Sequence, residues 1–260
     1  MPETDLSLLI RTAREAGEIA LQFTGKTAQR WDKPDGSGPV TEADLAVNDL
    51  LEDRLRSARP NYGWLSEESE EDATRLNRER VFIIDPIDGT RSFAEGSRTW
   101  AHAMAIAERG RVVAGVVYLP ARDMLFAAEV GGGASLNGEA IQASDRTMMR
   151  AAHVLAARPN MEAKHWRDGA PVFNRAFRPS LAYRLALVAQ GRFDAMLTLR
   201  PSWEWDIAAG DIILREAGAV SSDRTGEALL FNNPTPRLNG VVAAGPALHG
   251  QILGALAPDG

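Results

Sequence analysis

The chain has 260 residues, 45% of them hydrophobic, enough to bury one large core or two closely packed ones. A formal charge of -6 and a pI near 5.4 argue against a nucleic-acid polymer or an anionic membrane surface as the main partner. With no cysteine, disulfides, zinc-thiolate sites and thiol catalysis are excluded. The start Met1-Pro2-Glu3-Thr4-Asp5 lacks the basic and apolar regions of a signal peptide, and no apolar run approaches membrane-spanning length, so a cytoplasmic protein is expected.

Leu6, Leu9, Ile10, Ala13, Gly17, Ala20 and Leu21 recur at three- and four-residue steps, which predicts an amphipathic helix ending near Gly25. Trp31 to Pro39 reads as a polar loop rich in glycine and proline. Thr41-Glu42-Ala43-Asp44 then opens a second helix carrying Val47, Leu50, Leu51 and Leu55. Thr41 and Asp44 have capping-box spacing, so Asp44 taken alone is a helix cap. Tyr62-Gly63-Trp64-Leu65 reads as a short strand, and five acids follow within residues 67–72. Glu70, Glu71 and Asp72 belong to a solvated loop, whereas Glu67 stands directly at a strand end.

Val81-Phe82-Ile83-Ile84 is a short, β-branched apolar run closed by Asp85-Pro86-Ile87-Asp88-Gly89-Thr90. It predicts a buried strand, ended by Pro86, that leaves Asp85 and Asp88 at its carboxyl end, where α/β sheets hold ligands. Gly89 and Thr90 lead into Arg91-Ser92-Phe93-Ala94, a first helical turn whose free N–H groups face an anion. Two ionised carboxylates repel each other and a phosphate alike. Mg²⁺ between them removes the conflict, because it takes a few carboxylates together with phosphate oxygens. An Asx-type turn, in which both acids merely cap the helix, is the other reading of this motif taken alone.

Trp100 to Ala107, Val112 to Tyr118 and Met124 to Ala128 read as an antiparallel meander. Gly131-Gly132-Gly133-Ala134 lacks dinucleotide-loop spacing, and Asn137-Gly138 signals a hairpin. His102, His153 and His165 lack ligand spacing and read as structural or surface residues. Beyond them the pattern alternates: a strand over Ala151–Ala156, a helix around Met161–Arg167, a helix from Ser180 to Gln190 and a strand over Asp194–Leu199. Asp206 then starts a helix that Gly218 caps. An acid at a helix N-terminus is by itself a cap, worth about 0.3–1 kcal/mol.

In chain order, Glu67-Glu68 after a strand, Asp85-Pro86-Ile87-Asp88-Gly89-Thr90, and Trp205-Asp206 at a helix start, with Asp44 in a T-x-x-D context upstream, resemble the inositol monophosphatase superfamily of Mg²⁺-dependent, lithium-sensitive phosphatases. The resemblance extends from the first helix to Ala243-Ala244-Gly245. It implies an α/β fold of layered α-β-α-β-α type, in which residues 1–145 form an α+β half with most metal ligands and residues 146–260 an α/β half supplying Asp206. It further implies that Glu67, Asp85 and the Ile87 carbonyl hold one Mg²⁺, that Asp85, Asp88 and Asp206 hold a second, and that Glu67 helps a third. By the same resemblance the Gly89 and Thr90 N–H groups bind phosphate, and Asp44 hydrogen-bonds the Thr90 hydroxyl, which with Glu67 orients the attacking water. Li⁺ would inhibit by competing at the second position, and homodimers occur in the superfamily.

Inositol-specific members continue D-G-T-T-N-F and carry a glutamate on the strand before W-D. Here the run is Asp88-Gly89-Thr90-Arg91-Ser92-Phe93, and Asp194–Leu199 holds no glutamate. Arg91, Ser180-Leu181 opening a helix, and Pro201-Ser202 before Trp205-Asp206 are similar instead to the 3'(2'),5'-bisphosphate nucleotidase branch. A basic residue and two tryptophans at the mouth would suit a second phosphate and a nucleobase, so the expected substrate is a small phosphorylated metabolite such as 3'-phosphoadenosine 5'-phosphate. Glu204 is the acid near the mouth that would serve a polyol, and with it inositol 1-phosphate or a sugar phosphate is the alternative. A non-catalytic binding protein on the same fold would have a broken ligand set, and this set is complete.

Overall fold

The computed structural model describes residues 3–23, 29–33 and 38–258. Helix α1 (Asp5–Gln22) is capped by Thr4, whose side chain accepts from Ser7 N, and buries Leu8, Leu9, Ala13, Ala16 and Ala20. The stop expected near Gly25 lies outside the described residues. The flanks of the polar loop pair as an antiparallel hairpin of β1 (Arg30–Asp32) and β2 (Pro39–Thr41), where the sequence predicts a loop. Helix α2 (Glu42–Ala58) lies beside α1 and begins at the expected capping box.

Both helices cover one face of a seven-stranded sheet. Its strands are β3 (Gly63–Ser66), β4 (Arg80–Asp88), β5 (Ala101–Glu108), β6 (Arg111–Leu119), β7 (Met124–Glu129), β8 (Gly133–Leu136) and β9 (Glu139–Ala140), in sequence order. All neighbours are antiparallel except β3 and β4. The central strands are buried on both faces. Phe82, Ile84, Met104, Ile106 and Val116 pack toward α1 and α2, while Ile83, Ala103, Ala105, Val117 and Phe126 pack the other way. Strand β4 does not stop at Pro86. It continues to Asp88 through an irregularity between Asp85 and Asp88.

Short helix α3 (Thr90–Ala94) follows β4 directly. On the opposite face of the sheet lie α4 (Leu181–Ala189) and α5 (Ala208–Glu216). Beyond them stands a second sheet, which draws on β10 (His153–Leu155), β11 (Asn174–Ala176), β12 (Ala195–Thr198), β14 (Val220–Ser222) and β16 (Val241–Ala244), in the order β11-β10-β12-β16-β14. A small pair, β13 (Ser202–Trp203) with β15 (Arg237–Leu238), borders it. Helix α6 (Pro246–Ala255) closes the outer face, burying Leu248 and Ile252 with Trp166. The layers therefore run α-β-α-β-α.

Two expectations change. Residues 161–167 form no α-helix but two 3-10 turns, Arg158–Met161 and Ala163–His165. Trp166 is drawn into the core, where its Nε1 donates to Asn160 O at 2.9 Å and its backbone bridges Leu256, so the chain cannot continue helically. Helix α5 begins at Ala208, which leaves Asp206 in the turn before it; Ile207 N and Ala208 N both donate to Glu204 O there.

Candidate active site

Parallel pairing of β3 with β4 places Ser66 opposite Ile84, and Glu67 N donates to Ile84 O at 3.2 Å. Glu67 and Asp85 therefore leave adjacent strand tips side by side. Asp88 follows across the β4 irregularity, and the turn before α5 brings Asp206 from the far side. Carboxylate oxygens of Asp85, Asp88 and Asp206 all lie within 4.8 Å of one another. Gly89 caps α3 with φ of +99°, a left-handed conformation that penalises any Cβ. Thr90 comes next, and its hydroxyl donates to Asp44 Oδ1 at 3.0 Å, with Ile87 O also 3.0 Å away. Asp44 Oδ2 meanwhile accepts from Thr41 N at 2.9 Å and from Thr41 Oγ1 at 2.5 Å. One carboxylate thus caps α2 with one oxygen and holds Thr90 with the other.

Burial pushes Asp85 and Asp206 well above the usual carboxylate range, and the negative charges of Glu67 and Asp88 push both further. Asp88 is also raised by burial, against the hydrogen bonds it accepts from Ser180 Oγ at 2.7 Å and Ala182 N at 2.6 Å. Arg184 lies near Asp88 and Asp206, yet its own burial brings it down to about 10. Asp44 is pushed up to about 6 by burial. Glu68 rises to about 7 through burial and the neighbouring Glu67, although Lys33 Nζ stands 2.8 Å from it and 3.0 Å from Glu67. Buried acid so outweighs buried base. Asp85 Oδ1 is buried with no hydrogen-bond partner among the described residues. Three clustered carboxylates with an orphaned oxygen match the hard, all-oxygen donor set that Mg²⁺ takes.

Glu67, Asp85, Asp88 and Asp206 line a cavity of about 460 Å³, with Ile87, Gly89, Thr90 and Arg91 also in its wall. Two further expected residues are placed differently. Ser180 is fully buried and is not among the cavity residues; its hydroxyl donates to Asp88 and accepts from Tyr183 N at 3.0 Å, so it caps α4 and holds a carboxylate rather than touching substrate. Glu204 is also fully buried. Its carboxylate accepts from Asn232 N at 2.6 Å, Asn233 N at 2.9 Å and Asn233 Nδ2 at 2.7 Å, which leaves it no role at the mouth. The two tryptophans are not open platforms either. Trp203 and Trp205 stack on each other at 4.7 Å and 11°, and the Arg237 guanidinium sits 4.7 Å over Trp203.

Reading the sequence alone passed over Lys33, Arg184 and Arg200. Lys33 is the only cation in the 31–39 stretch, and Arg184 lies one helical turn after Ser180, which were the available signals. Arg200 lines the cavity from the segment after β12. No helix among the described residues is long and apolar enough to cross a membrane.

The model of the inositol monophosphatase family matches residues 1–258. An inositol-1-monophosphatase of Mesorhizobium japonicum is 31% identical, over 96% of this chain and 95% of its own. The Nus factor SuhB of Escherichia coli is 34% identical over 85% of each chain. Among solved structures, the extragenic suppressor protein suhB of Bartonella henselae superposes with a TM-score of 0.80 at 28% identity, covering 95% of both chains. The chain belongs to the inositol monophosphatase family, and with it to the Mg²⁺-dependent phosphoric monoester hydrolases.

Proposed function

We propose that this phosphatase hydrolyses a small ester bearing a second anionic group, of which a 3'(2'),5'-bisphosphate nucleotide is the model, and that the residues gathered around Asp85 carry the reaction. The observation behind the substrate class is a pair of arginines. Arg91 and Arg200 both line the cavity and are exposed, and neither side chain makes a hydrogen bond or ion pair among the described residues. Free guanidinium groups beside a phosphate cradle suit a second phosphate. Phe177, 46% exposed, lines the same cavity with the Arg184 guanidinium 5.0 Å over its ring. Glu204 is sequestered, so the acid expected to serve a polyol ring does not reach this cavity.

In this reading Glu67, Asp85 and the Ile87 carbonyl hold one Mg²⁺ and Asp85, Asp88 and Asp206 a second, with Glu67 toward a third. When bound, Mg²⁺ supplies charge neutralisation on the phosphoryl oxygens and acidifies the attacking water. Gly89 and Thr90 hold the phosphate through their N–H groups. Thr90, fixed by Asp44, orients the attacking water together with Glu67. Phosphoryl transfer needs positioning and charge compensation above all, and these residues contribute both. Li⁺ competes at the position of Asp85, Asp88 and Asp206, so millimolar Li⁺ should lower turnover at limiting Mg²⁺; unchanged turnover refutes that assignment.

The deciding assay is phosphate release from 3'-phosphoadenosine 5'-phosphate and from inositol 1-phosphate, each with and without Mg²⁺. Mg²⁺-dependent preference for the nucleotide is expected, and Arg91→Ala and Arg200→Ala should each lower its kcat/KM by about tenfold to a hundredfold, the worth of a charged hydrogen bond. The similarity to an inositol-1-monophosphatase favours inositol 1-phosphate as the second reading. A preference for that ester, unaltered by either arginine substitution, overturns the first.

A further inference from the structure

Where β4 irregularly meets β5, the register passes from Asp85 opposite Ala103 to Asp88 opposite Ala101. Two residues of β4, Pro86 and Ile87, thus face a single residue of β5, His102, and the ladder cannot satisfy both of their carbonyls. Ile87 O lies 3.0 Å from the Thr90 hydroxyl. Pro86 O is met by His102 Nδ1. His102 is fully buried, edge-on to Trp100 with centroids 5.5 Å apart and tilted against Tyr118 at 6.3 Å. Burial lowers its pKa to about 4, so the ring is neutral at pH 7 and carries one N–H. A carbonyl can only accept, so that proton sits on Nδ1. Nε2 is then bare, and it has no partner among the described residues. The only donor of this imidazole is therefore committed to one peptide, the one joining Pro86 to Ile87.

That peptide lies between Asp85 and Asp88 and immediately precedes the Ile87 carbonyl, whose own partner is the Thr90 hydroxyl. Resting on the metal-site reading above, we infer that His102 is a positioning residue for the phosphatase reaction: by pinning the Pro86–Ile87 peptide it holds the β4 tip in the shape that converges Asp85, Ile87 and Asp88 on the metals. It touches neither substrate nor reacting atoms. Groups that orient metal ligands in this way typically matter about tenfold to a hundredfold in metal affinity.

The test titrates chelator-stripped protein with Mn²⁺ by calorimetry, alongside the Mg²⁺ dependence of turnover. In His102→Asn the side-chain amide places an N–H near the position of Nδ1; in His102→Gln the donor lies one bond farther out; His102→Leu has none. Asn is expected to bind Mn²⁺ within about threefold of the native chain, while Gln and Leu weaken it by about tenfold or more, with kcat largely recovered at saturating Mg²⁺. Native-like affinity in Leu or Gln overturns the inference. So does an Asn variant as weak as Leu, or a failure of all three to fold, since either assigns His102 to packing between Trp100 and Tyr118. Should Leu alone fail to fold, the two carboxamides decide. Asp88→Asn is the separate control: if it binds Mn²⁺ like the native chain, the metal-site reading itself fails, whatever His102 does.

Discussion

At the residue scale the site is held by side chains whose partners lie far away in sequence. Ser180 stands 92 positions from Asp88, yet its hydroxyl donates to that carboxylate and also caps α4. Ser180→Ala should therefore cost about 1 kcal/mol of stability through the lost cap and lower kcat/KM by about tenfold to a hundredfold through a misoriented Asp88. Thermal melts and Mg²⁺ titrations of activity read the two effects separately, and a stability loss with unchanged activity would confine Ser180 to capping. Asp88→Asn removes a charge from a cluster in which burial and like charges oppose ionisation. Its activity should fall by more than a hundredfold, beyond the cost of disturbing an outer group. Its metal-free form should nevertheless melt no lower than the native chain, because one source of repulsion is gone. Which acids gather was readable from D-P-I-D-G-T and W-D. Why they are held so was not, since a serine at a helix start signals a cap and says nothing of a carboxylate 92 residues upstream.

At the element scale the decisive placement is that of α5, whose preceding turn carries Asp206 to the tips of β3 and β4. The helix lies close against β6 because Gly115 lacks a side chain there: a Cβ at that position would come within 2.6 Å of Ile212 Cγ2 and 3.1 Å of Ala209 Cα. Gly115→Ala should force α5 outward, cost about 1–3 kcal/mol, and weaken Mn²⁺ binding as Asp206 is drawn away from Asp85 and Asp88. Equal Mn²⁺ affinity in a destabilised variant would show that the turn adjusts independently of the helix. Periodicity disclosed α1 and α2, because their apolar spacing follows from burying one face, whereas the meander and α4 showed as apolar runs because β5 and β6 are covered on both faces and α4 is buried all round. It did not disclose the hairpin of β1 and β2, whose three-residue strands, Arg30-Trp31-Asp32 and Pro39-Val40-Thr41, are too short to show an alternation, nor the continuation of β4 past Pro86. A proline removes one donor from the ladder, and nothing in the local sequence says that a histidine on the next strand will serve the carbonyl left over.

At the scale of the whole molecule, both sheets and the helices between them converge on a site that stores unfavourable charge. Asp85, Asp88 and Asp206 all titrate above the ordinary carboxylate value of 3.8, and Glu68 is raised from 4.5 to about 7. A carboxylate whose folded pKa is raised binds more protons folded than unfolded in the window between the two values, so stability there falls as pH rises. The cost is complete above the folded pKa and is relieved as pH drops toward 4. Metal-free protein should accordingly melt at a higher temperature at pH 5.5 than at pH 8, by about 2–4 °C for each kcal/mol of repulsion relieved. Saturating Mg²⁺ should reverse the order. Metal requires the ionised acids, and at a hundredfold excess over its dissociation constant it adds about 2.7 kcal/mol at the higher pH. Because the chain carries a net charge of -6, approach to its pI would also relieve general repulsion. Asp88→Asn separates the two causes: it leaves the overall charge almost unchanged but should flatten the metal-free pH dependence. An equally steep slope in that variant would place the effect on the surface rather than in the site.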